Sequence, residues 1–307
     1  MSLRVVEPGL LTTIQDRGRW GAQALGVPVA GPMDPWSHRM ANRLVGNDEA
    51  CAGLEVTLSG PMIEWLAPAT VAVVGGAFAL SVDGARAEPG RAWRLPAGSR
   101  LAFGARTAGA RAYVAVAGGI DVPLVLGSRS TDLASRLGGL GGRALRRGDR
   151  LEIGAGDGPP PLAGRAVPVA PPPRGGASLR VLAAPGWMGG RLSEVGLTGT
   201  RFRIATSSNR MGYRLEGATA RMAAPGAGLS TATPVGTIQV PPSGAPILLM
   251  ADRQTTGGYL APATLISADL GVAGQLGPGD WVELVECDRA TAMAALVTCE
   301  QAVLRIG

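Results

Sequence analysis

Apolar residues along this chain recur mostly at every second position, in short runs closed by Gly, Pro or Asp, the pattern of half-buried strands. It predicts strands at residues 71–74, 111–116, 180–182, 236–240 and 246–251. The longest uncharged run, residues 65–82, contains Pro68 and Gly75-Gly76, which read as breaks between two buried strands and not as a membrane helix. A Gly-led turn feeding an alternating segment occurs at Gly148-Asp149, at Gly279-Asp280 and, more weakly, at Gly98-Ser99. Helical spacing is rarer. Asp34-Pro35 reads as an N-cap followed by proline at the first helical position, and Gly46 as the stop. Between them Trp36, Met40 and Leu44 form an apolar stripe that leaves His38 and Arg39 outside it, so His38 is expected to be solvated or surface-paired. A second helix is expected over residues 290–300.

Prolines 159–161, 168 and 171–173 crowd one segment, and proline fixes φ and lacks a ladder donor. The chain therefore divides into a β-rich domain at 1–156, a Pro-rich linker at 157–178 and a second β-rich domain at 179–307.

Composition sharpens this. The 47 glycines and 24 prolines exclude a coiled coil or helical bundle, and 46% hydrophobic residues exclude global disorder. All 29 basic residues are arginine. Without lysine the chain cannot bear biotin, form an internal imine or build a Walker-A loop. One histidine rules out His-rich zinc sites, and no metal site is expected. Net charge +6 suggests nucleic acid, but the arginines are scattered and the few aromatics are not interleaved with them, so none is expected as a partner. Cys51, Cys287 and Cys299 are odd in number, without C-x-x-C spacing, which points to reduced thiols. Arg4, Glu7 and Pro8 stand where a signal peptide needs its apolar core, and a cytoplasmic protein is expected.

Four segments carry candidate chemistry. Residues 26–34 lead into the helix start, where free amides can hold an anion unless Asp34 already caps them. Asp252, Arg253, Gln254, Thr255 and Thr256 stand at a strand end, followed by Gly257, Gly258 and Tyr259. Such a set can orient an amide or lactam: Asp252 accepts from its N–H, Gln254 or a threonine donates to its carbonyl, and the glycines admit a ligand to the backbone. A polar turn bonded to itself is the competing reading. Arg210 and Arg214, four apart around Tyr213, either pair with carboxylates or face solvent. Ser128, Arg129, Ser130 and Thr131 form either an anion site or a hydrogen-bonded loop.

At these same residues the chain resembles a known family, allophanate hydrolase subunit 2, also called the KipA-like biotin-dependent carboxyltransferase family, whose bacterial members include a 5-oxoprolinase subunit. The matching text is TTIQDRGR at 12–19, residues 31–34 and 41–47, YVAVAGGIDVP at 113–123, GSRST at 127–131, RMGYRLEG at 210–217, GTIQVPP at 236–242 and residues 252–259. The resemblance implies a mainly β protein with cyclophilin-like barrels in both halves and few short helices. It implies partners, a KipI-like (allophanate hydrolase subunit 1-like) chain and a LamB/YcsF-like chain, with a homo-oligomer possible. It also implies ATP hydrolysis in a complex that opens 5-oxo-L-proline to L-glutamate, the ATP-binding chain unspecified. On that reading Asp252 binds the ring N–H or acts as base, Gln254, Thr255 and Thr256 fix the carbonyl, and Arg129, Arg210, Tyr213, Gly257, Gly258 and Tyr259 contact substrate. The alternatives are the carboxyltransferase part of an amide carboxylase whose biotin arm sits on another chain, and a non-catalytic antagonist of a KipI-like kinase inhibitor. The family pattern has an acid where Asn209 stands, a Ser-Glu pair at Ser230-Thr231, and Pro plus a basic residue at Leu260-Ala261.

Overall fold

The computed structural model describes residues 1–156, 171–185, 187, 191–221 and 229–306. Two compact units emerge. The first comprises Met1–Trp20, Ala30–Pro172 and the chain from Gln301 onward; the second comprises Gly21–Val29 and Pro173–Glu300. These borders differ from the expected ones: a short early segment joins the second unit, and the last residues return to the first. Ile306 is buried in a cluster with Ala41, Leu44 and Val45, and that contact draws the terminus back. Most of the expected linker lies outside the described residues, but its end does not, since the strand Gly176–Ala183 already begins there.

The first unit is built on a ten-stranded sheet. Its central members are Gly53–Thr57, Arg100–Val116, Met62–Trp65 and Ser2–Glu7, all paired antiparallel. One face buries Leu3, Ile14, Val56, Ile63, Trp65, Val71, Leu101 and Val114 in a single core. Pro68 separates two strands as expected, but Gly75-Gly76 does not. The strand Ala69–Val82 runs through it, and the register slips between Gly75 and Ala77. A β-carbon on Gly76 would stand 3.0 Å from the Arg111 carbonyl oxygen, so the glycine permits a bulge where the sequence suggested a stop.

The second unit is a closed barrel of Gly176–Ala183, Leu260–Leu265, Thr237–Val240, Ile247–Leu249, Gly212–Glu216, Arg201–Ile204 and Trp281–Glu286. Alternate residues point inward, among them Leu179, Val181, Phe202, Ile204, Leu215, Ile238, Leu248, Val282 and Leu284. The mainly β expectation holds.

All three Gly-led turns start strands. Gly98, Gly148 and Gly279 have φ of +87°, +88° and +90°, and strands begin at Arg100, Arg150 and Trp281. Asp149 and Asp280 close their turns by accepting the amides of Arg146 and Gly277. The helix Pro35–Leu44 starts and stops where predicted. Asp34 accepts the amides of Trp36 and Ser37 at 3.1 and 3.0 Å, which fills the proposed anion-binding turn. The last helix, Arg289–Leu304, is longer than expected. Among the described residues no helix is long and apolar enough to cross a membrane.

Candidate functional site

In the first unit the Ser128–Thr131 loop folds onto Asp16. The Ser128 and Ser130 hydroxyls donate to Asp16 Oδ1 at 2.6 and 2.7 Å, and the Arg129 amide donates to Oδ2 at 2.5 Å. Burial pushes the Asp16 carboxyl up, but these bonds and the Gly18 amide outweigh it and hold the group below its ordinary value. Of the two readings of this loop, hydrogen bonding within the protein is the one realised. Arg129 donates to the Val122 carbonyl at 2.9 Å and pairs with Asp121 at 2.9 Å, and the pair lines a groove of about 270 Å³ with Cys51, Gly119 and Gly154.

His38 corrects the sequence reading. It is 1% exposed, its Nε2 lies 3.1 Å from the Gln15 carbonyl oxygen, and its ring meets Tyr113 edge-on. The helix buries Ser37, His38, Ala41, Asn42 and Leu44, a different face from the Trp36–Met40–Leu44 stripe. These polar groups are tolerated inside because distant backbone meets them: Gln15 takes His38, and the Cys51 carbonyl takes the Asn42 amide at 2.9 Å. Burial holds the imidazole pKa below its ordinary value of 6.5. Because the folded pKa is depressed, the unfolded chain protonates first. This contribution to stability is full above about pH 6.5, shrinks as pH falls below it, and is gone below the folded pKa. Urea unfolding at pH 8 and at pH 5 should show that loss, and His38→Gln should flatten this part of the slope.

The polar loop after Ile247–Leu249 lies in the second unit. Asp252 is 5% exposed, and its carboxylate is gripped at both oxygens by Arg210, Nε to Oδ2 and Nη2 to Oδ1, each 2.8 Å. The Asp252 amide also donates to the Arg210 carbonyl at 2.9 Å. The expectation of an open carboxylate, and of an Arg210 turned toward substrate, is therefore corrected. A bidentate pair satisfies both groups internally and fixes the loop to the strand Gly212–Glu216 that follows Arg210. Tyr213 is corrected likewise: it is 2% exposed and its hydroxyl reaches the carbonyl oxygens of Ala273 and Leu276, both at 3.1 Å.

The rest of the motif stands further out. Gln254, Thr255, Gly257 and Gly258 are partly buried, while Thr256 and Tyr259 are exposed. Thr256–Gly257 pairs with Thr231–Ala232 in a two-stranded ribbon, so two of the positions that depart from the family pattern, Thr231 and the nearby Leu260, flank this loop. Gln254 donates through Nε2 to Gln239 Oε1 at 3.1 Å, and Thr233 accepts from Arg253 Nε at 2.7 Å through its carbonyl. Gln239 and Arg253 belong to this cluster although the sequence reading gave neither a role. The legible signal for Gln239 was an amide between the apolar Ile238 and Val240 of a predicted strand. Among the described residues no cluster of His, Cys, Asp and Glu could hold a metal ion.

The mainly β chain with its closed barrel matches a carboxyltransferase domain. The family profile described as carboxyltransferase domain, subdomain A and B, matches residues 25–286, and the chain belongs to that family. It is similar to a 5-oxoprolinase subunit of Escherichia coli (strain K12), 38% identical across 95% of this chain and 94% of that protein. It is likewise similar to the 5-oxoprolinase subunit of the same name in Haemophilus influenzae, at 35% across 88% and 86%. The crystal structure of the Kluyveromyces lactis urea amidolyase superposes with a TM-score of 0.92 at 29% identity, over the whole of this chain. The chain spans only 20% of that much longer polypeptide.

Proposed function

We propose that this chain is a subunit of an ATP-dependent 5-oxoprolinase complex, opening 5-oxo-L-proline to L-glutamate with a KipI-like and a LamB/YcsF-like chain. One observation carries the reading: the chain is coextensive with two relatives named as a 5-oxoprolinase subunit. The absence of lysine fits a chemistry that needs no biotin arm on this chain. Within the second unit the accessible Thr256 and Tyr259, with Gln254, Thr255 and the two glycines, are the groups offered to a lactam. Asp252 and Arg210 act one layer back as positioning residues that hold this loop to the barrel.

A second reading, the carboxyltransferase part of an amide carboxylase, is favoured by the family description and by the urea amidolyase superposition. It requires biotin on another chain. The test is to co-purify the chain with the products of neighbouring genes and to assay glutamate release from 5-oxoproline with ATP, with and without avidin. Avidin-resistant release supports the first reading. Avidin-sensitive carboxylation, or tight partner binding without any turnover, overturns it.

A further inference from the structure

The groove beside Asp121 and Arg129 belongs to the first unit and has no role in the function proposed above. It has two halves that share this pair. One, of about 270 Å³, runs past Cys51, Gly119 and Gly154, and the other, of about 370 Å³, runs past Val122, Pro123 and Leu124. Side by side they offer the room of a small-ligand site, roughly 300 Å³ or more, and the second half supplies an apolar wall.

The guanidinium between them is held in place and still has donors to spare. The Arg129 backbone is fixed at both ends, its amide on Asp16 and its carbonyl oxygen accepting the Gly139 amide at 2.9 Å. Its Nε and Nη2 donate to the Val122 carbonyl and to Asp121 Oδ1, both at 2.9 Å. A guanidinium has five N–H donors, so among the described residues three stay open, those of Nη1 included. Asp121 Oδ2 likewise accepts nothing from the described residues, and the two side chains are 33% and 56% exposed. The acid side is reinforced. Asp121 stands directly opposite Glu152 in the pairing of Ile120–Asp121 with Arg150–Ile153, so both side chains share one face of the sheet. Like charges facing each other across a strand pair are unfavourable, and Glu152 forms no ion pair among the described residues.

These charges select the ligand. A lone oxyanion on Arg129 would meet the Asp121 carboxylate, and a lone cation on Asp121 would meet Arg129. A group with both charges side by side meets each with its opposite, and an α-amino acid carries its ammonium and carboxylate on one carbon. We infer that this groove binds the head of a free α-amino acid, its carboxylate on the open N–H edge of Arg129 and its ammonium on Asp121, with the side chain along Val122 and Leu124. The inference draws on first-unit residues alone and does not rest on the lactam reading.

Cys51 reports occupancy, because it lines the same groove and lies within electrostatic reach of Arg129. Burial and the Asp48 carboxylate push its thiol up, and Arg129 pulls it down. Alkylation of Cys51 by iodoacetamide in the full chain, read by peptide mass spectrometry with Cys287 as internal reference, would be followed as L-leucine or L-glutamate is added. Each amino acid would be compared with its N-acetyl derivative, which lacks the ammonium, and its α-amide, which lacks the carboxylate. At ten times its Kd either amino acid should slow Cys51 labelling about tenfold and leave Cys287 unchanged. Each derivative should need about tenfold or more higher concentration for the same protection. Asp121→Asn, at an exposed position, should weaken the amino acid and bring its N-acetyl derivative level with it; Arg129→Gln should do the same for the α-amide. Equal protection by an amino acid and both derivatives, no protection by either amino acid at about 50 mM, or discrimination against the N-acetyl derivative that survives in Asp121→Asn overturns the site. Protection of Cys51 in a chain whose complex releases no glutamate would leave this site standing and remove the 5-oxoprolinase reading alone.

Discussion

Asp252→Asn is expected to destabilise the second unit by about 3–5 kcal/mol, the cost of leaving one member of a buried ion pair without its partner. The geometry sets this apart from a surface pair, which contributes about 0–1 kcal/mol. Both groups are about 5% exposed, and the two bonds are parallel at 2.8 Å. An amide there can accept one of the two guanidinium bonds, and its NH2 then opposes the other. The measurement is urea unfolding followed by exchange of barrel amides. A double replacement, Asp252→Leu with Arg210→Met, separates structure from function. Removing both charges should restore most of the stability, because apolar groups of similar volume replace a buried pair at little cost. If glutamate release by the complex stays low in that stable double variant, the pair positions the loop for substrate. If release returns with stability, the pair is only a structural clasp.

Gly118→Ala should cost at least about 3 kcal/mol in the first unit, from two independent sources. Gly118 has φ of +91°, where a side chain is strained in any surroundings, and its added β-carbon would fall 2.1 Å from the Gly154 carbonyl oxygen. That oxygen is backbone and cannot rotate away. The strand Arg150–Ile153, which Gly154 follows, would have to shift, breaking its pairing with Ile120–Asp121. By contrast Gly127→Ala, also at positive φ but with open space around it, should lose only the conformational part, about 1–2 kcal/mol. Thermal unfolding of the two variants side by side checks the difference; equal losses would mean that the contact with Gly154 is relieved elsewhere.

The double glycine of YVAVAGGIDVP was visible in the sequence, but its reason was not, because Gly154 approaches from 36 residues away. Separation in sequence also hid the fate of the Asp252 carboxylate, whose partner Arg210 lies 42 residues away. The sequence left Asp252 either open to a ligand or bonded within its turn, and Arg210 either paired with a carboxylate or facing solvent; only the barrel, by bringing the two strand ends together, commits them to each other. His38 was misjudged because helical periodicity counts apolar residues alone, whereas a helix can bury polar ones when strands from elsewhere in the chain supply carbonyl partners.

What the sequence determined by itself is local: strands from alternation, turns from Gly-Asp pairs, the Asp34 cap, and the chemistry that a chain without lysine cannot perform. These follow from interactions between residues a few positions apart. Which polar groups remain open to a ligand was decided only by the tertiary structure. That outcome depends on long-range pairing, which gave Asp252 to Arg210, Asp16 to Ser128 and Ser130, and the His38 Nε2 to the Gln15 carbonyl.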